Sequence, residues 1–192
     1  SNASVQMFNR VDAWVQTIQK ESTAYAKEKK AHDIICEYVE YEEGTYDQTA
    51  YSAVMQKKTV CAGYAKLYSM LTNAAGLETV SVTSATHGWN RTKLGNQWYN
   101  VDLTWDDGTP ISYQFFNKSD ATMEKYDGSS RESHTQNHYY NGVAPGCESD
   151  YGASVTVVDA EQIHADTATV ILDLVNNQSG QIRTSFVPAN VT

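Results

Sequence analysis

Apolar positions recur at helical spacing through the first forty residues. Val5, Phe8, Val11, Val15 and Ile18 fall three or four apart, which predicts a helix from residue 5 to about 20. A second helix is predicted over about 23–41, with Ile34, Ile35, Tyr38 and Val39 on its apolar stripe and Lys and Glu on the other face; Gly44 then stops it. A short helical piece fits 50–55. From Cys61 to about residue 75 the stripe Tyr64, Leu67, Tyr68 and Leu71 follows i, i+3, i+4, i+7, so a buried helix starts at or beside Cys61, with Gly76 as its stop signal.

The pattern then changes period. TVSVT at 79–83 alternates and is β-branched, as a strand requires. Runs at 87–94 and 97–103 flank Gly95 and Asn96, a glycine-first two-residue loop suited to a tight hairpin. A further strand is predicted at 113–116. Residues 121–150 are polar and rich in Gly, Ser and Asn, which predicts a long loop with a helical stretch near 119–124. Beyond about 153 come the β-like runs SVTVV, ATVILDLV and QIRTSFV. The order of helices, a cysteine-bearing helix and antiparallel strands predicts an α+β domain over 4–150, with 151–192 as a β-rich tail that extends the sheet or forms a small appended module.

Composition changes this picture only at its edges. The chain has 192 residues, 41% of them hydrophobic, and a net charge of -9. That charge excludes phosphate-dominated nucleic-acid binding and docking on an anionic membrane. No apolar run is long enough for membrane insertion. Ser1, Asn2 and Ala3 read as an expression-tag remnant and are left out of the fold reading, so other domains of a longer parent chain are expected. Three cysteines, Cys36, Cys61 and Cys147, cannot all pair within one chain; a Cys36–Cys147 pair is allowed by the count. Acidity, few cysteines and abundant Ser, Thr, Asn and Tyr point to an extracellular or cell-surface protein.

Cys61 stands where the extended segment Thr59, Val60 meets a helix. First-turn amides there lack intrahelical acceptors and the dipole end is positive, a setting that stabilises a thiolate. Ala62 and Gly63 would let a substrate backbone come close. The hairpin adds a second observation. If Leu94 faces Gln97, His87 falls opposite Thr104, and Asp102 lies two residues away on the same sheet face. Diagonal neighbours are about 7–8 Å apart, within hydrogen-bonding reach for an imidazole and a carboxylate. A carboxylate that orients the ring leaves the other nitrogen to take a thiol proton. Taken singly, a buried cysteine, a strand histidine and a surface acid are each unremarkable; the register is what links them.

The segments TVCAGYAKLYSMLTNAAGL, THGWN and QWYNVDLTWDD, in that order, resemble the bacterial transglutaminase-like superfamily, whose pattern is a cysteine at a helix start in V-C-x-G-Y-A, then His-x-Trp-Asn, then W-Y-x-V-D-x-T-W-D. AHDIICEYVEY, TAYSAVMQKK and YQFFNKSDATM fit more loosely; the tail after about 150 is not covered. The resemblance implies a papain/transglutaminase-like core, with Cys61 as nucleophile, His87 as general base and acid, and Asp102 as orienting carboxylate. Gly88 departs from the Ala that many relatives carry between His and Trp.

The implied reaction is thiol-dependent acyl transfer on a peptide or protein substrate, with hydrolysis favoured. Transamidation onto an amine is the first alternative, a non-catalytic peptide- or glycan-binding module on the same fold the second, and an arylamine-acetyltransferase-like transfer the weakest. No cofactor is implied. Tyr51 is a candidate oxyanion donor, and Trp89 and Trp105 are candidates for the core or for the wall of a substrate cleft. Asn90, Asp106 and Asp107 would brace the hairpin. His134 and His138 have i, i+4 spacing, but with no third ligand at a persuasive spacing and a loop-like setting no metal site is expected. His32 and His164 read as surface residues.

Overall fold

The computed structural model describes residues 2–127, 133–135 and 144–152. The predicted β-like runs after 153, with His138 and His164, lie outside the described residues. The described residues up to Tyr151 form one compact unit.

Helix α1 (Asn2–Gln19) and helix α2 (Ala24–Tyr38) open the chain. Thr23 caps α2, its hydroxyl accepting the Ala26 amide. Only Val15 and Ile18 of the α1 stripe are buried, while Val5 and Phe8 are 56% and 68% exposed. Helix α2 ends earlier than predicted because the backbone turns extended at Val39, and Glu40–Tyr41 becomes strand β1, parallel to β2 (Lys58–Thr59). A π-helical turn, Ser52–Gln56, lies between them in sequence. Helix α3 (Cys61–Ala74) buries Tyr64, Leu67, Tyr68 and Leu71 in the main core with Ile18, Ile35 and Val54. It ends beside Gly76, whose φ of +94° suits the glycine.

Strands β3 (Thr79–Thr83), β4 (Gly88–Leu94), β5 (Gln97–Val101) and β6 (Phe116–Lys118) form an antiparallel sheet in that order. The hairpin register is the predicted one from Leu94–Gln97 to Asn90–Val101. It stops there. Asp102 leaves the strand and caps the four-residue helix α4 (Leu103–Asp106), accepting the Trp105 amide, so His87 never pairs with Thr104. The strand predicted at 113–116 begins at Phe116 instead. Helix α5 (Asp120–Lys125) follows, capped by Ser119.

Strand β4 is covered on both faces. On one, Asn90 donates to the Ala65 carbonyl and Thr92 bonds Tyr68 Oη, fastening α3 to the sheet. On the other, Trp89 and Arg91 both donate to Asn100 Oδ1, and Arg91 reaches on to Asp120 and the Pro145 carbonyl.

His32, expected at the surface, is fully buried. Its two ring nitrogens lie 3.0 Å from Asp33 Oδ1 and 3.0 Å from Asp106 Oδ2. Burial disfavours the imidazolium, yet the bonds to Asp106 and Asp33 prevail and hold its pKa above the usual histidine value. A charged helix face concealed this site because the covering carboxylate comes from α4, more than seventy residues away. The three cysteines are all free, so Cys36 and Cys147 do not pair. No described helix is long and apolar enough to cross a membrane.

Candidate active site

Cys61 is the first residue of α3. Val60 precedes it in extended conformation and offers no side-chain cap, leaving the Cys61 and Ala62 amides without intrahelical acceptors. Cys61 is partly exposed. It lines a cavity of about 300 Å³ together with Ala62 and Lys66 of α3, His87, Gly88 and Gln48. Gly63 does not open onto this cavity. A Cβ there would lie 1.6 Å from Thr59 Oγ1, so the missing side chain accommodates β2 rather than a substrate.

His87 is buried just ahead of β4, in a turn closed by the Ser84 amide donating to its carbonyl at 2.9 Å and its own amide donating to Ser84 Oγ at 3.1 Å. Its ring lies nearly parallel to Trp89, 6.0 Å between centroids. Nε2 is 2.6 Å from Asp102 Oδ2. Asp102 is buried, and its amide donates to the Phe115 carbonyl at 2.9 Å. Burial alone would raise its pKa, but the charge of His87 and the bonds from His134 and His87 outweigh it and hold the carboxyl below its ordinary value.

His134 was not among the residues assigned to the site from sequence. It is buried, with Nε2 2.7 Å from the same Asp102 Oδ2. Its Nδ1 is 2.7 Å from Asp127 Oδ1, and its amide donates to Asp127 Oδ2 at 2.8 Å. His87, Asp102 and His134 thus offer three donor atoms within 4.8 Å of one another, compact enough to chelate a cation. The short hydrogen bonds already account for those three atoms, and the set reads most simply as a hydrogen-bond chain. The only sequence signal was the HTQNH spacing, and it pointed to His138 rather than to Asp102.

Tyr51 is not among the cavity-lining residues; its ring sits edge-on to Tyr46 at 6.2 Å. Gln48, three residues earlier, lines the cavity instead. Trp89 is 1% exposed, which removes it from any cleft wall and makes it the backing for His87. Trp105 is partly buried, its ring 5.9 Å from His87 and 4.4 Å from His134. Asn90, Asp106 and Asp107, expected to brace the hairpin, tie it to other elements instead: Asn90 donates to the Ala65 carbonyl, Asp106 accepts the Phe115 amide at 2.9 Å, and Asp107 accepts from Tyr64 Oη.

Residues 12–103 match the sequence profile of the transglutaminase-like superfamily, a stretch that contains Cys61, His87 and Asp102 and stops short of His134. The match supports a transglutaminase-like domain over just under half of the chain, and the helices packed on an antiparallel sheet make the fold α+β. Two solved structures are similar. One is described as a TGase, with 15% identity and a TM-score of 0.46 over 52% of this chain and 32% of that one. The other, a candidate cysteine protease from Cytophaga hutchinsonii, has 20% identity and a TM-score of 0.41 over 49% of this chain and 37% of that one. The chain therefore spans only about a third of the length of either. No curated protein matches it.

Proposed function

We propose that the chain is a thiol-dependent acyl-transfer enzyme acting on peptide or protein amides, with hydrolysis as its main outcome. The observation that carries this reading is the shared cavity: Cys61, at an uncapped helix start, and His87, held by a buried Asp102, line the same space.

In this reading the Cys61 thiolate attacks the amide carbonyl carbon. A C–S bond forms and the carbonyl electron pair moves onto oxygen. The Cys61 and Ala62 amides face that charge, with the Gln48 carboxamide as a further donor on the cavity wall. Collapse of the adduct breaks the C–N bond, and the departing amine takes the proton held by His87. Water then gives a proton to His87 and attacks the thioester, releasing the acid and restoring the thiol. Asp102 fixes the ring tautomer throughout.

The test is twofold. Iodoacetamide should alkylate Cys61 at pH 6 faster than a model thiol, and His87→Ala should slow this by about tenfold or more. A peptide library read for both hydrolysis and amine incorporation then identifies the acceptor; predominant amine incorporation would replace hydrolysis by transamidation. Activity surviving in Cys61→Ala would sink the thiol mechanism altogether.

A further inference from the structure

We infer that His134 is a positioning residue of this site, an imidazolium clamped between Asp102 and Asp127 that fixes the Asp102 carboxylate and shares its charge with His87. The inference rests on the thiol-enzyme reading and deepens it.

Carboxylate oxygens can only accept. Both ring nitrogens of His134 face one, Nε2 on Asp102 Oδ2 and Nδ1 on Asp127 Oδ1, each at 2.7 Å. With both acids ionised, both nitrogens must carry hydrogen. The titratable groups facing His134 are Asp127 after α5, Asp102 at the head of α4, and His87 before β4, whose ring centre is 5.4 Å away. Among the described residues its ring also meets Trp89, Trp105 and Phe115, at 5.0, 4.4 and 6.0 Å between centroids. Asp127 holds residue 134 twice, through backbone and ring, so the side chain is delivered to Asp102 by a fixed anchor.

The consequence for the chemistry is specific. Asp102 Oδ2 takes two N–H groups and Oδ1 takes the Trp105 amide, so the carboxylate plane is pinned from three directions. The second N–H also draws negative charge from the atom that stabilises protonated His87. His87 therefore releases its proton at a lower pH than Asp102 alone would allow. A like charge at this range changes such a release by about one pH unit.

The experiment is the rate of Cys61 alkylation by iodoacetamide between pH 4 and 10, for the wild type, His134→Gln, Asp127→Asn and His87→Ala. The wild-type profile should show a lower step where the thiolate forms and an upper step where His87 loses its proton. His134→Gln removes the charge and should move the upper step up by about one pH unit. Asp127→Asn lets His134 keep a single ring proton and should move it the same way by less. A residue that only fills space would lower the rate and leave the upper step in place; that result in both variants overturns the inference. If His134→Gln does not fold, Asp127→Asn decides alone. A wild-type thiol of ordinary reactivity, indifferent to His87→Ala, would instead bring down the enzyme reading and this inference with it.

Discussion

At the scale of single residues, Gly63 and Asp102 carry the clearest consequences. Alanine normally stabilises a helix over glycine by about 1 kcal/mol. At position 63 that gain meets a Cβ placed 1.6 Å from Thr59 Oγ1 and 2.9 Å from the Thr49 carbonyl. Thr59 cannot give way, since its hydroxyl accepts from Ser52 Oγ and donates to the Asp47 carbonyl. Overpacking wins, and Gly63→Ala should destabilise the protein by about 3 kcal/mol, read as a lower urea midpoint with an unchanged slope; an unchanged midpoint would contradict the packing. The glycine was legible in the sequence, but its reason was not, because Thr59 meets it only in three dimensions. Cys61, His87 and Asp102 were legible as a group because two of them belong to one hairpin. His134 was not, because no periodicity or turn connects it with Asp102.

At the scale of elements, the sheet depends on what covers β4. Both faces are buried, and the face away from α3 is polar: Arg91 joins Asn100 of β5, Asp120 of α5 and the Pro145 carbonyl. Asp120 in turn bonds Cys147 on both sides, accepting its amide and donating its own amide to its carbonyl. Arg91→Leu takes the donor from the Pro145 carbonyl and the cation from Asp120, while Asn100 Oδ1 keeps Trp89 and Asp120 Oδ1 keeps the Asn100 amide, and should cost about 1–3 kcal/mol. It should also expose Cys147, whose thiol burial pushes up to about 12, to labelling by Ellman's reagent under native conditions. Labelling as slow as in the wild type would show that the 144–152 segment stays put without the arginine. The helices and the hairpin could be read from periodicity and turn chemistry. The early end of β5 could not, because Asp102 abandons the ladder to cap α4, and a local cap competed successfully with the strand pattern.

At the scale of the whole molecule, buried ionisable groups set the pH at which the fold is firmest. Glu28 is fully buried, and desolvation raises its pKa from 4.5 to about 7 although Asn117 and Tyr68 donate to it. A carboxyl raised in the folded state stabilises while protonated, and that contribution is lost as pH climbs through about 7. Histidine 32, raised by its two carboxylates, likewise loses its contribution as pH rises beyond the usual histidine value. Asp33, lowered to about 2, stabilises the fold throughout this range and loses that contribution only as pH falls towards 2. Stability should therefore be greatest near pH 5 and decline towards pH 8, by up to about 3 kcal/mol for Glu28. Urea midpoints measured across that range should fall steeply in the wild type and less so in Glu28→Gln; equal slopes would rule Glu28 out as the cause. The acidic composition gave no hint of this, because a net charge of -9 counts acids without saying which lie inside.

The carboxylate of Asp102 also joins near and distant parts of the chain. Its partners lie 3, 15 and 32 positions along the chain, at Trp105, His87 and His134. Closing a longer loop costs more entropy before its contact returns anything. By loop length alone the α4 cap is the least costly of the three contacts to close and the bond to His134 the most costly. The Asp102 carboxylate is therefore a clasp closed from near and from far, and its longest closure, the one to His134, draws most on the rest of the fold to hold it.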